Sequence, residues 1–174
     1  MSIPVELVQA GHEEQLVLEN LLHLYLHDFS ELIALDVGND GRFEYKNLAL
    51  YWSDPARLPF LARVDGKLAG FVLVRRVSEL QRDGDAYDMA EFFVLRGYRR
   101  RGIGSALAER VWLRYPGWWQ VRVMANNAAA FRFWAAAIES FTGKALDFES
   151  LESDGIQWRR FTFNSRIGLQ AGTP

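Results

Sequence analysis

The sequence predicts an α+β fold in the element order β-α-α-β-β-β-α-β-α-β-β, on three observations. Apolar residues recur at helical spacing between Leu16 and Leu26, and the period changes to two from Pro59 onward. Asp65-Gly66 lies between two such alternating runs, the signal of a tight β-hairpin. Between residues 86 and 124 a strand, a glycine-rich loop, a helix and a second strand succeed one another, which implies a parallel strand pair.

Residues 4–8 form the first strand. Gly11-His12-Glu13-Glu14 opens a helix with acids in its first turn, where the helix dipole favours them, and Leu18, Leu21, Leu22, Tyr25 and Leu26 carry it to Asp28. A second short helix is expected over residues 30–35, ahead of the loop Gly38-Asn39-Asp40-Gly41. Residues 60–64 and 68–74 make the hairpin, and the turn Arg82-Asp83-Gly84-Asp85 leads into a third strand, 86–95. A loop over 96–104 gives way to a helix over 103–114, which Pro116-Gly117 breaks. Residues 118–124 alternate as a strand and 128–141 form an apolar helix. Residues 145–148 and 156–163 close the chain as strands around Ser153-Asp154-Gly155. No repeat or linker interrupts the 174 residues, so a single domain, 1–174, is expected.

With 49% hydrophobic and 24% charged residues, the composition is that of a globule able to bury a core without staples. The absence of cysteine excludes a disulfide scaffold, a thiolate metal site and a cysteine nucleophile. No uncharged apolar run approaches the ~20 residues of a membrane span, and Met1-Ser2-Ile3-Pro4 shows no leader pattern, so a cytoplasmic protein with no membrane partner is expected. The net charge of −2 hides a split, because residues 1–60 hold ten acids against three bases and the remainder twelve against seventeen. Such asymmetry fits two ligands of opposite sign, and the near-neutral total disfavours nucleic acid.

The most informative segment runs from Glu91 through Phe92, Phe93, Val94 and Leu95 into Arg96-Gly97-Tyr98-Arg99-Arg100-Arg101-Gly102-Ile103-Gly104-Ser105. A strand enters a turn rich in glycine and arginine, and a helix starts there. Free N–H groups at a helix start, glycines that admit a ligand to the backbone, and guanidinium donors together suit a diphosphate. A dinucleotide fingerprint fails because Leu107 stands where its third glycine belongs, and Arg122 where an acid should hold the ribose. A P-loop fails for want of Gly-Lys-Ser/Thr, and Ser105 is misplaced for a nucleophile elbow.

Arg99, Gly102 and Gly104 instead match the acyl-CoA motif Gln/Arg-x-x-Gly-x-Gly/Ala, and Asn127, Ala130, Phe133 and Trp134 match a second pattern, Asn-x-x-Ala-x-x-φ-Tyr, except at its last position. Both motifs, in register with the element order, resemble the GNAT superfamily of N-acetyltransferases. The resemblance covers nearly the whole chain and implies a mixed, mostly antiparallel sheet flanked by helices. It also implies an acetyl-CoA-dependent transfer to a primary amine of a small molecule or peptide. The fourth and fifth strands would splay around the pantetheine arm, with the backbone of Val94 and Leu95 bonded to it and one N–H polarising the thioester. Arg99, Arg100, Arg101, Gly102, Ile103, Gly104 and Ser105 would wrap the diphosphate, and Asn127 would lie where the arm passes. The first helices of such a fold wall the acceptor site, which brings in Tyr25, His27 and Asp28. A homodimer stays open.

The sequence departs from the family where protons are handled. Trp134 replaces the tyrosine that often serves as general acid, and Arg122 occupies the region of an occasional glutamate base. The remaining base candidates are Glu91 and Asp88 on the fourth strand. Strict alternation puts Asp88 on the face of Val94 and Glu91 on the other, and a bulge would change that parity. A salt bridge to Arg122 or Arg132 is the competing role for either acid. The missing tyrosine also leaves a non-catalytic acyl-CoA sensor as the alternative function. His23 and His27 share a helix face at a metal-compatible spacing, yet no third ligand is evident, and no metal is expected.

Overall fold

The computed structural model describes residues 4–78, 80 and 83–166; Arg82 of the expected turn lies outside them. After strand β1 (Val5–Gln9), the leucine stripe forms helix α1 (Gln15–Phe29), with Leu18, Leu21, Leu22 and Leu26 buried and Leu16 and Leu24 exposed on the opposite face. The hairpin of β2 (Arg57–Val64) and β3 (Lys67–Arg76) turns at Asp65-Gly66, both at positive φ, and β4 (Ala86–Val94) follows. Helix α2 (Ile103–Arg114), β5 (Trp118–Met124), α3 (Ala128–Thr142), β6 (Glu149–Ser153) and β7 (Ile156–Asn164) complete a seven-stranded sheet in the order β1-β2-β3-β4-β5-β7-β6. Of its strand pairs, β4–β5 is parallel and the others antiparallel, as the mixed α+β expectation required.

Both faces of the sheet are covered, so β3 is apolar on both sides. Leu61, Phe71, Leu73 and Phe93 pack under α1, whereas Phe60, Val72, Val74, Trp119 and Phe161 pack under α2 and α3 with Leu107, Trp112 and Ile138. Among the described residues no helix is long and apolar enough to cross a membrane.

Two elements differ from expectation. Residues 30–35 are turns rather than a second helix: the Ser30 hydroxyl donates to the carbonyl of His27, the chain then makes single-turn bonds only, and Leu32 and Leu35 face a cleft. A 3-10 turn at Leu48–Trp52 stands later in this connection. The strand expected at 145–148 begins instead at Glu149, because Asp154-Gly155 pairs Ser153 with Ile156 and the ladder extends back from there. Phe148 packs against Phe131 and Phe161 instead.

One irregularity shapes the opening in the sheet. In the β3–β4 ladder Leu73 faces Glu91 and Val74 faces Met89, so Ala90 is an extra, unopposed residue. On its far side β4 pairs with β5 only from Ala86 to Asp88, after which the two strands part while β5 stays bonded to β7 as far as Met124. The result is a V-shaped opening whose one wall is Glu91 to Val94.

Candidate active site

A cleft of about 1300 Å³ runs through this opening, from the C-terminal end of α1 and the loop behind it to the start of α2. At one end lies the Gly/Arg loop. Arg100 and Gly102 both adopt left-handed backbone, with φ of 59° and 75°, a conformation that costs Arg100 strain and Gly102 almost nothing. Gly102 caps α2, so the first N–H groups of that helix lie beside Gly104 and Ser105, which line the cleft. A methyl group on Gly104 would come within 3.0 Å of the Phe133 ring, which fixes a small residue where α2 meets α3.

The loop's side chains divide. Arg99 and Arg100 line the cleft; Arg101 does not, and Ile103 is a core residue that leaves its backbone alone for a ligand. Arg99 is tied down, its Nε donating to the Val94 carbonyl at 2.7 Å and its Nη2 to Asp28 at 2.6 Å. Asp28 also accepts two hydrogen bonds from Arg96, at 3.1 and 2.6 Å. Burial pushes the Asp28 carboxyl up, but the bonds from Arg96 and Arg99 outweigh it and hold the group below the usual carboxylate range. Asp28 thus fastens the end of α1 to the loop, and part of the charge split in the sequence cancels inside the molecule.

The backbone of β4 corrects a second expectation. The Leu95 N–H is spent on the carbonyl of Ala69 at 2.8 Å, so it is closed to a pantetheine arm. Ladder alternation turns the Val94 amide the other way, into the opening, where its carbonyl meets Arg99. Asn127 lines the cleft, while its Oδ1 accepts the Ala130 N–H at 3.0 Å and caps α3. Across the cleft, the neighbouring Asn126 donates to the carbonyl of Leu32 at 2.9 Å.

At the other end stands Glu91. The Ala90 bulge reverses the parity that alternation gives: Asp88, Glu91 and Phe93 share the α1 face, and Val94 lies on the other. Tyr25 donates to Glu91 at 2.6 Å and Tyr45 at 3.0 Å. Burial raises the Glu91 carboxyl above its ordinary value, with Asp88 adding to the rise and the two tyrosines and Arg122 opposing it. Tyr25 and Tyr45 are themselves raised by burial and then by the charge of Glu91, so both remain protonated donors. Tyr45 follows a glycine loop and carries no periodic signal that would have marked it in the sequence.

Asp88 is not placed to act as a base. Its side chain is 0% exposed, and it takes hydrogen bonds from Arg75 at 3.1 and 2.5 Å and from Arg122 at 3.1 Å. His27 misses the cleft too; two residues beyond Tyr25 it is turned about 200° around the helix axis, and it is exposed. Among the described residues no group of three His, Cys, Asp or Glu is arranged around a metal position.

Trp134 lines the cleft but belongs to an aromatic wall with Phe92, Phe133 and Trp112, at centroid distances of 4.8, 4.9 and 6.2 Å. Trp134→Phe is expected to lower stability by about 1–2 kcal/mol through a partly filled cavity and to leave turnover within a few-fold. Thermal denaturation beside a rate assay checks both; a selective loss of turnover at unchanged melting temperature would assign the indole a chemical role.

Comparison with known proteins decides the family. Residues 18–137 match the family model described as Acetyltransferase (GNAT) family. The chain belongs to the GNAT acetyltransferases. An uncharacterized N-acetyltransferase of Mycobacterium tuberculosis is 27% identical over 100 residues, which covers 55% of this chain and 61% of that protein. The GNAT fold extends over the whole sheet. The structure of an aminoglycoside N(6')-acetyltransferase from Legionella pneumophila superposes with a TM-score of 0.70 at 11% identity, covering 98% of each chain. That of Arabidopsis thaliana NAA60 in complex with acetyl-CoA gives 0.58 at 16% identity, covering 94% of this chain and 99% of that one.

Proposed function

We propose that this GNAT chain is an acetyl-CoA-dependent N-acetyltransferase that acts on the primary amine of a small molecule or peptide, with Glu91 as its general base. The observation that carries the proposal is the Glu91 carboxyl, raised by burial and held by Tyr25 and Tyr45 at the strand opening, on the same wall that presents the Val94 amide and leads to the start of α2. The named acceptors of GNAT-fold neighbours, an aminoglycoside among them, are amines.

In the reaction Glu91 takes the proton of the acceptor's ammonium, directly or through one water. The amine lone pair then forms a bond to the acetyl carbon, and the Val94 N–H stabilises the charge gathering on the carbonyl oxygen. The C–S bond breaks to release CoA thiolate while the second nitrogen proton passes to solvent water, leaving the neutral amide. Positioning supplies most of the remaining acceleration. The thiolate leaves without a phenolic acid at position 134, consistent with a thiol's low basicity relative to an amine.

An acetylation panel of polyamines, amino acids, aminoglycosides and peptides, read by CoA release, tests the assignment. Acetyl-CoA binding with no CoA release for any amine would favour the sensor, the reading that Trp134 supports. The loop geometry adds a graded expectation: Arg100→Ala lowers acetyl-CoA affinity by about 1–3 kcal/mol, the scale of a lost charged hydrogen bond, whereas Arg101→Ala, outside the cleft, leaves it nearly unchanged. Isothermal calorimetry on the two variants measures this.

A further inference from the structure

Arg122 stands where the family's occasional β5 glutamate would be, and it does more than neutralise Asp88. On the α1 face of the sheet its Nη2 donates to Asp88 Oδ2 at 3.1 Å, and its guanidinium lies 5.7 Å from the centroid of the Trp158 ring. The same carboxylate oxygen also serves Arg75, so one buried charge is divided between two guanidiniums. No acceptor among the described residues reaches Arg122 Nε or Nη1; the Nε–H is buried without a partner, and the side chain opens into the cleft with 32% of its surface exposed. Of the other arginines, Arg96 and Arg99 bond Asp28 and Arg160 bonds Glu149, while Arg100 lies at the Gly/Arg loop. A guanidinium with free donors beside a flat aromatic wall is a seat for an anionic oxygen group.

We infer that Arg122 is a specificity-determining residue, and that the acceptor is a small zwitterion carrying a carboxylate or phosphate beside its amine. This rests on the acetyl transfer proposed above. The amine would lie at Glu91 and the anion at Arg122, with Trp158 flanking it. Glu31 and Glu44 also line the cleft and draw the ammonium, while Arg122 and Lys46, which lines it too, repel a second cationic centre, so a polyamine is the disfavoured class. The sign of the charge opposite the amine is what selects.

The test uses the whole chain with acetyl-CoA. CoA release is measured for the standard α-amino acids, their α-amides, β-alanine, 2-aminoethylphosphonate and spermidine. The best anionic acceptor is expected to exceed its own amide at least ten-fold in kcat/KM, and β-alanine against 2-aminoethylphosphonate separates carboxylate from phosphate. Arg122→Gln should raise KM for the anionic member at least ten-fold more than for its amide and leave the acetyl-CoA Kd unchanged, any change in kcat through Glu91 being shared by both, with Arg122→Lys partly restoring the preference. Preference for spermidine or the amide by the wild-type protein, or an equal loss on both members in Arg122→Gln, overturns the inference while leaving acetyl transfer intact. Calorimetry of the same acceptors on CoA-loaded protein supplies a readout without transfer: Arg122-dependent binding with no CoA release would retain this inference and remove the proposed chemistry. Neither binding nor release would remove this inference and leave acetyl transfer to be decided by the wider amine panel.

Discussion

Glu91→Gln is expected to lower turnover at neutral pH by about 10²–10⁴-fold, the contribution of a positioned general base, while acetyl-CoA affinity stays unchanged. The substitution preserves the shape of the side chain and its capacity to bond Tyr25 and Tyr45, so the loss isolates proton transfer from packing. Because burial raises the Glu91 carboxyl, the rising limb of the wild-type pH–rate profile should lie above the ~4.3 of an ordinary glutamate, and it should vanish in the variant. Stability moves the opposite way. A carboxyl raised in the folded state favours folding most at low pH, and that advantage is lost as pH climbs from the unfolded value through the folded one. Gln mimics the protonated form, so the variant should melt no lower than wild type at pH 8. Asp88→Asn is the contrast: it removes the buried charge that Arg75 and Arg122 share and should lower the melting temperature more than it selectively lowers turnover. If Glu91→Gln loses no more than a few-fold on the true acceptor, the proton leaves by another path.

Much of this site was legible in the sequence because it is built from local signals. The strand-to-loop-to-helix run and its glycines marked the position of the Gly/Arg loop, and α2 and β5 fall at the expected residues, since strong periodicity and Pro116-Gly117 bound them. What alternation could not reveal is the Ala90 bulge, because β4 carries apolar residues on both faces and a one-residue shift of phase shows no contrast in such a run. That one residue moves Asp88 and Glu91 to a common face. It also separates the two acids by role, leaving Glu91 as the proposed base and Asp88 as an arginine anchor. Tyr45 was hidden for a related reason, reaching Glu91 from 46 positions away along a loop without periodicity. Arg99 matched the motif, yet its tie to Asp28 depends on where the end of α1 packs, a long-range fact that no local pattern carries.

Gly102→Asp is expected to abolish measurable acetyl-CoA binding. Two effects contribute, and their sizes differ. At φ 75° any side chain meets backbone strain, but Asp and Asn are the residues that tolerate the left-handed region best, so strain alone costs on the order of 1 kcal/mol. The carboxylate matters more, since it would stand at the helix start where the N–H groups and Arg100 would receive the diphosphate of the proposed acetyl-CoA. Gly102→Asn separates the two, being matched in shape and backbone preference but neutral. Calorimetry should show binding lost in Gly102→Asp and weakened by no more than about ten-fold in Gly102→Asn, the equivalent of about 1.4 kcal/mol, with both variants melting close to wild type. Equal losses in the two variants would mean that the loop acts through its backbone shape and not through an anion-binding helix start. Unchanged affinity in Gly102→Asp would place the cofactor elsewhere.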